Sequence, residues 1–217
     1  MISAARLAFL DAARTAADTV QTDEVAAAWW EPSALSQWTV GGIAGHAYLA
    51  CRIARRSLDA PLPVGLAVES PSAGGLSRMR IDLASELEAE NHRTIRGDGE
   101  HVARRGPAAV AAKFRDLIAA LESRLEVEPA DRRVPAPSGE VAYLLDDWLE
   151  SRTIEMLVHA DDLAVSVGLP PLVLPDAAAA VAIHGLVDIA RHRVGDLAVL
   201  RALSRGERQS ADTLRAF

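Results

Sequence analysis

The chain has 217 residues and a formal net charge of −7, with half of its residues hydrophobic and 24% charged. That apolar fraction excludes a disordered chain, and the length suits one domain with a sizeable core. The acidic balance argues against a general nucleic-acid binder. A lone cysteine, Cys51, excludes an internal disulfide and a CxxC site. The longest stretch free of Asp, Glu, Lys and Arg runs from Pro32 to Cys51. It contains Pro32, Gln37, His46 and three glycines, so it does not read as a membrane span. No signal peptide is legible in the amphipathic start, and a cytoplasmic location is expected.

Strand signals are poor, since aromatics make up only 4% of the chain. Helix signals are strong and repeated. Leu7, Leu10, Ala13, Ala17 and Val20 predict a first helix over Ser3 to Val20. A loop with Trp29, Trp30 and Trp38 follows, and the tryptophans are expected to close one end of the bundle. The second helix is expected from Val40 to about Ser57, with Thr39 as N-cap because its hydroxyl can accept from an unpaired amide. It opens with Gly41, Gly42 and Gly45, an unfavourable choice in a helix that usually permits close approach of another backbone. Residues 59–75, rich in Pro and Gly, read as a loop, either a plain connector or a lid. A third helix is expected over Leu76 to Ile95, then a polar break, RGDGEHVARRG. Pro107 opens a fourth helix to about Glu126. The fifth starts after Gly139 and ends at Gly168, a good C-terminal stop. A last helix begins at Pro175-Asp176 and breaks near Gly195, ahead of an amphipathic tail. The expected fold class is an all-α helical bundle.

The fifth helix carries the chemistry. Arg152, Glu155, His159 and Asp162 fall within roughly 80° of arc on one helix face at about 100° per residue. Trp148 joins the same stripe. Burying a carboxylate and an imidazole without partners is costly, and a divalent metal would partner both. Glu155 and His159 are one turn apart and can reach one ion. A third ligand must come from another helix. His46 is the candidate, because Ile43, Ala50 and Ile53 mark its face as inward. Cys51 lies about 140° around the helix from His46 and is not counted as a ligand. The plainer reading stays open on spacing alone: Glu four before His is common by chance, and a buried His usually satisfies a hydrogen bond. His92, His101 and His192 read as surface residues and His184 as a core histidine. Arg78 and Arg80 are weaker candidates for anchoring an acidic substrate.

Two segments carry a family resemblance. WEPSALSQWTVGGIAGHAYLACR and RTIEMLVHADDLAVSVGLP together resemble the paired signatures of the N-terminal domain of mycothiol-dependent maleylpyruvate isomerase, within the DinB/YfiT-like superfamily. The resemblance implies an all-α, DinB-like four-helix bundle over residues 1–168. Residues 169–217 would form a C-terminal helical extension packed on it, making a single domain overall. It implies a divalent metal, normally zinc, held by His46, Glu155 and His159. Arg152 and Asp162 match flanking motif positions, where they would orient the ligands or balance charge.

Three protein ligands leave a coordination position open, the mark of a catalytic rather than a structural zinc. A thiol bound there would be deprotonated. The expected function is therefore a metal-dependent, thiol-using enzyme, a mycothiol S-transferase acting on a small electrophile, with mycothiol as cosubstrate. The full isomerase carries a further C-terminal domain, whereas only a short helical segment follows Pro171, so thiol transfer is expected in place of maleylpyruvate isomerisation. Two alternatives remain: metal-assisted hydrolysis with water in the open position, and a non-catalytic metal-bound binding or stress-response module. No nucleic acid or membrane partner is expected, and a homodimer is left open.

Overall fold

The computed structural model describes residues 2–62, 65–69, 86–136 and 139–204. Eight helices form among them: α1 (Ala4–Val20), α2 (Asp23–Ala27), α3 (Val40–Asp59), α4 (Glu86–Ala103), α5 (Pro107–Val127), α6 (Leu145–Val167), α7 (Asp176–Val194) and α8 (Asp196–Ser204). Side-chain caps start the first three. Ser3 accepts from the Arg6 amide, Thr22 from Val25 and Thr39 from Gly42, each satisfying a donor that the helix leaves unpaired. Pro107 opens α5. Gly168 ends α6 in the left-handed region at φ 71°, where a side chain would be strained.

The helices arrange as the all-α, DinB-like bundle expected from the resemblance. Four of them neighbour one another in the order α1, α6, α3, α5, so that α1 faces α3 across the core. Phe9, Ile43, Phe114, Leu121, Leu149 and Met156 fill that core and are fully buried. α4 lies along α3, α7 packs on α6 and α1, and α8 continues from α7 after Gly195. No helix among the described residues is long and apolar enough to cross a membrane.

The elements depart from the sequence expectations at α4 and at the start of α6, and one tryptophan departs as well. The supposed polar break is helical, because α4 runs on to Ala103. Its Gly99 lies against α3, and tertiary contact outweighs the ~1 kcal/mol helix cost of glycine. The fifth helix starts later than expected. Ala142–Leu144 is instead the central strand β3 of a small sheet, between β1 (Val68–Glu69, parallel) and β2 (Arg133–Pro135, antiparallel). Val134 pairs with Tyr143 in that sheet. Strands this short have no period to read, and only the pairing creates them. Trp30 is 61% exposed and closes nothing, whereas Trp29 is buried and donates its indole N–H to the Ala103 carbonyl. The expected helix over residues 76–85, Arg78, Arg80, residues 63–64 and 70–75 of the supposed lid and the tail from residue 205 lie outside the described residues.

Candidate metal centre

α3 and α6 pack side by side, and each turns a polar group into the seam. On α3, His46 follows Ile43 and precedes Ala47 and Ala50, all buried. On α6, Glu155 and His159 sit one turn apart. Glu155 Oε2 is 3.4 Å from His159 Nε2 and 3.8 Å from His46 Nε2. The two imidazoles meet edge to face, with centroids 4.6 Å apart. One donor atom from each residue lies within 4.8 Å of the other two, as a group able to hold a metal ion would. Tetrahedral zinc, with ligand bonds of about 2.0–2.2 Å, sets its donors roughly 3.3–3.5 Å apart. The 3.4 and 3.8 Å carboxylate–imidazole separations lie near that spacing, and the chemistry of the set (two imidazoles and a carboxylate) suits zinc.

The neighbours orient these groups. Asp162 Oδ2 lies 3.0 Å from His159 Nδ1. With the N–H on Nδ1 donating to that carboxylate, Nε2 presents its lone pair toward Glu155 and His46. Arg152 is buried. Its guanidinium lies 4.5 Å over the Trp148 ring, donates to Ser151 Oγ at 3.1 Å, and reaches to 4.0 Å from Glu155 Oε1. Tyr143 stacks on Trp148, with centroids 5.4 Å apart. The sheet residue thus backs the ring that supports Arg152. Trp38 flanks His46 at 5.5 Å between centroids.

The two histidines are pushed in opposite directions. Burial holds His46 below its ordinary value, against the pull of Glu155, and the charges of His159 and Arg152 act the same way as burial. Burial also opposes charge on His159, but the Asp162 and Glu155 carboxylates outweigh it and raise the imidazole to about 9. In the metal-free state an excess proton therefore sits among the three donor groups, where a cation would otherwise balance the carboxylates. Burial pushes the Cys51 thiol up to about 12, so it is no nucleophile at neutral pH.

All five site residues singled out in the sequence, Arg152, Glu155, His159, Asp162 and His46, come together around this seam. His92, His101 and His192 are exposed, as expected. His184 is also exposed, contrary to its expected core position, because α7 covers the bundle with its alanine-rich face. The sequence reading missed Glu100 and Gly99, which lie against the start of α3. Their segment looked like a solvated break, and no local spacing tied it to Thr39 or Gly42.

A family model described as the mycothiol maleylpyruvate isomerase N-terminal domain matches residues 9–164, a span that holds every residue of this seam. No curated protein and no solved structure matches the chain.

Proposed function

We infer the function from one premise: the chain belongs to the mycothiol maleylpyruvate isomerase N-terminal domain family, which ties it to a mycothiol-related function. We propose that it is a metal-dependent, thiol-using enzyme, a mycothiol S-transferase acting on a small electrophile. His46, Glu155 and His159 are the proposed ligands. The observation that carries the proposal is the convergence of one carboxylate and two imidazoles, from two helices, within 4.8 Å of one another.

Each neighbouring residue has a task in this reading. His46 is held neutral by burial and keeps a free lone pair. Asp162 fixes the His159 tautomer through Nδ1 and makes the ring a better donor. Arg152 offsets the negative charge of Glu155 and is itself held flat by Trp148. The Trp38 ring shields one side of His46 from water. A divalent cation bound by these ligands would supply the positive charge that keeps an incoming thiol ionised at neutral pH, well below its free value of about 8.5. The thiol proton leaves to solvent, and the thiolate's electron pair forms a new S–C bond at the electrophilic carbon, which gives up its bond to an anionic leaving group released to solvent; no oxidant or reductant is needed. The chain's own thiol takes no part, since Cys51 stays protonated.

The test couples metal analysis to turnover. Purified protein should carry about one zinc per chain, and His46→Ala or His159→Ala should lose it. Full zinc retention by either variant would overturn the ligand assignment. The wild-type protein should consume mycothiol together with a model electrophile. If the electrophile disappears at the same rate without thiol, or does not disappear at all, the transferase reading fails.

A further inference from the structure

The start of α3 is tied down on two sides. On the α6 side, the Ala34 amide donates to Ser166 Oγ at 2.9 Å, and that hydroxyl donates to the Asp162 carbonyl at 2.6 Å. On the α4 side stands Glu100. The Thr39 amide donates to Glu100 Oε1 at 2.9 Å, and the Thr39 hydroxyl donates to Oε2 at 2.8 Å. The same hydroxyl accepts from the Gly42 amide at 2.9 Å. A carboxylate suits this place because it accepts both protons and sits at the positive end of α3.

Glycines make room for the contact. A Cβ at Gly42 would lie 2.2 Å from Glu100 Oε1, and one at Gly45 would lie 2.3 Å from the Gly99 carbonyl oxygen. A Cβ at Gly99 would lie 2.6 Å from the Gly42 carbonyl oxygen, 3.1 Å from the Trp38 ring and 3.3 Å from His46 Cβ. The two helices therefore meet backbone to backbone directly beneath the Trp38 and His46 rings. Gly42 is one helical turn before His46, so a shift of α3 at this crossing moves the imidazole with it.

We propose that Glu100 is a positioning residue: by holding Thr39 across the glycine-lined crossing of α3 and α4, it fixes where the Trp38 and His46 rings stand relative to Glu155 and His159. Its functional meaning rests on the metal-centre reading, but the ring placement can be measured without a metal. A helix cap that served stability alone would change the melting temperature and leave the assembled site as it was.

The experiment is a zinc titration of the full chain, well below each variant's melting temperature, beside the Trp38–His46 ring cross-peak of the metal-free protein by NMR. Glu100→Ala and Gly42→Ala should each weaken zinc binding by ~10-fold, the low end of what losing a direct hydrogen-bond partner of a metal ligand costs, because both act on His46 through the placement of α3. Each should also diminish the cross-peak. Glu100→Gln, which keeps the shape and one acceptor oxygen, should recover most of the loss. The double variant Glu100→Ala/Gly42→Ala should bind no more weakly than Glu100→Ala, because the new methyl no longer meets a carboxylate; such non-additivity marks a shared contact. Wild-type affinity and an unchanged cross-peak in Glu100→Ala, or full additivity in the double variant, would overturn the proposal. If wild-type protein takes up no zinc, the metal-centre reading fails. The cross-peak then decides the role of Glu100: its loss in Glu100→Ala upholds the positioning role, and its persistence overturns it.

Discussion

His46 and His159 are the same residue type, buried side by side, yet they hold protons differently. His159 gains two carboxylate neighbours, Asp162 and Glu155, against the effect of burial. His46 has Glu155 as its carboxylate neighbour, but burial dominates, and the charges of His159 and Arg152 act with it. This difference has a pH signature in metal-free protein. A group with a raised native value contributes stability below its unfolded value and loses that contribution as pH passes through its native value. For His159 the window runs from 6.5 to about 9. His46, held low, is neutral in the native state, and its unfolded-state proton is gone about one pH unit above 6.5, so it adds no slope over the rest of that window. Urea denaturation of EDTA-treated protein should therefore show stability falling across that window. A flat profile would remove the proton from among the carboxylates. Much of this was readable one residue at a time. Glu155, His159 and Asp162 are four and three apart on a single helix, so their shared face follows from helical geometry. The split between the histidines did not follow, because it depends on which charges α6 brings to α3.

Among the elements, the helices formed largely where their periodicity and caps put them. Ser3, Thr39, Pro107 and Gly168 mark four boundaries by local chemistry alone. What locks the elements together is less local. Arg6, on the first turn of α1, is buried. It bonds Asp146 at the start of α6 and the carbonyls of Leu125, Glu128 and Pro129 at the end of α5. One guanidinium thus satisfies the Leu125 carbonyl in the last turn of α5 and the Glu128 carbonyl just beyond it, and joins three helices. Replacing Arg6 by Ala would leave the Asp146 carboxylate and those two carbonyls without this partner. The expected loss is ~3–5 kcal/mol, the cost of breaking a buried charged pair, read as a lower denaturation midpoint. A loss under about 1 kcal/mol would mean that water replaces the guanidinium freely. α4 shows the limit of local reading. Gly97, Gly99 and the surrounding charges predict a break, and the helix persists because α3 supplies a glycine face for Gly99 to lie on.

Over the whole molecule, the bundle order α1, α6, α3, α5 puts the N-terminal half's His46 beside the Glu155–His159 pair. An ion held there would cross-link α3 and α6. A ligand that binds only the folded state stabilises it by RT ln(1 + [L]/Kd), ~2.7 kcal/mol at one hundred times Kd. Thermal melts with zinc and with excess EDTA should therefore differ, zinc giving the higher midpoint, and the difference should vanish in His46→Ala. Coincident melts of the wild-type protein would argue against a bound cation. The all-α class, the helix boundaries at Ser3, Thr39, Pro107 and Gly168 and the candidate metal-binding side chains were legible in the sequence, because caps, glycine stops and one-turn spacings act over a few residues. The sheet around Ala142–Leu144, the continuation of α4, the exposure of Trp30 and the Glu100–Thr39 contact were decided only in three dimensions. Each depends on a partner far along the chain, and no local propensity encodes which backbone will come within reach.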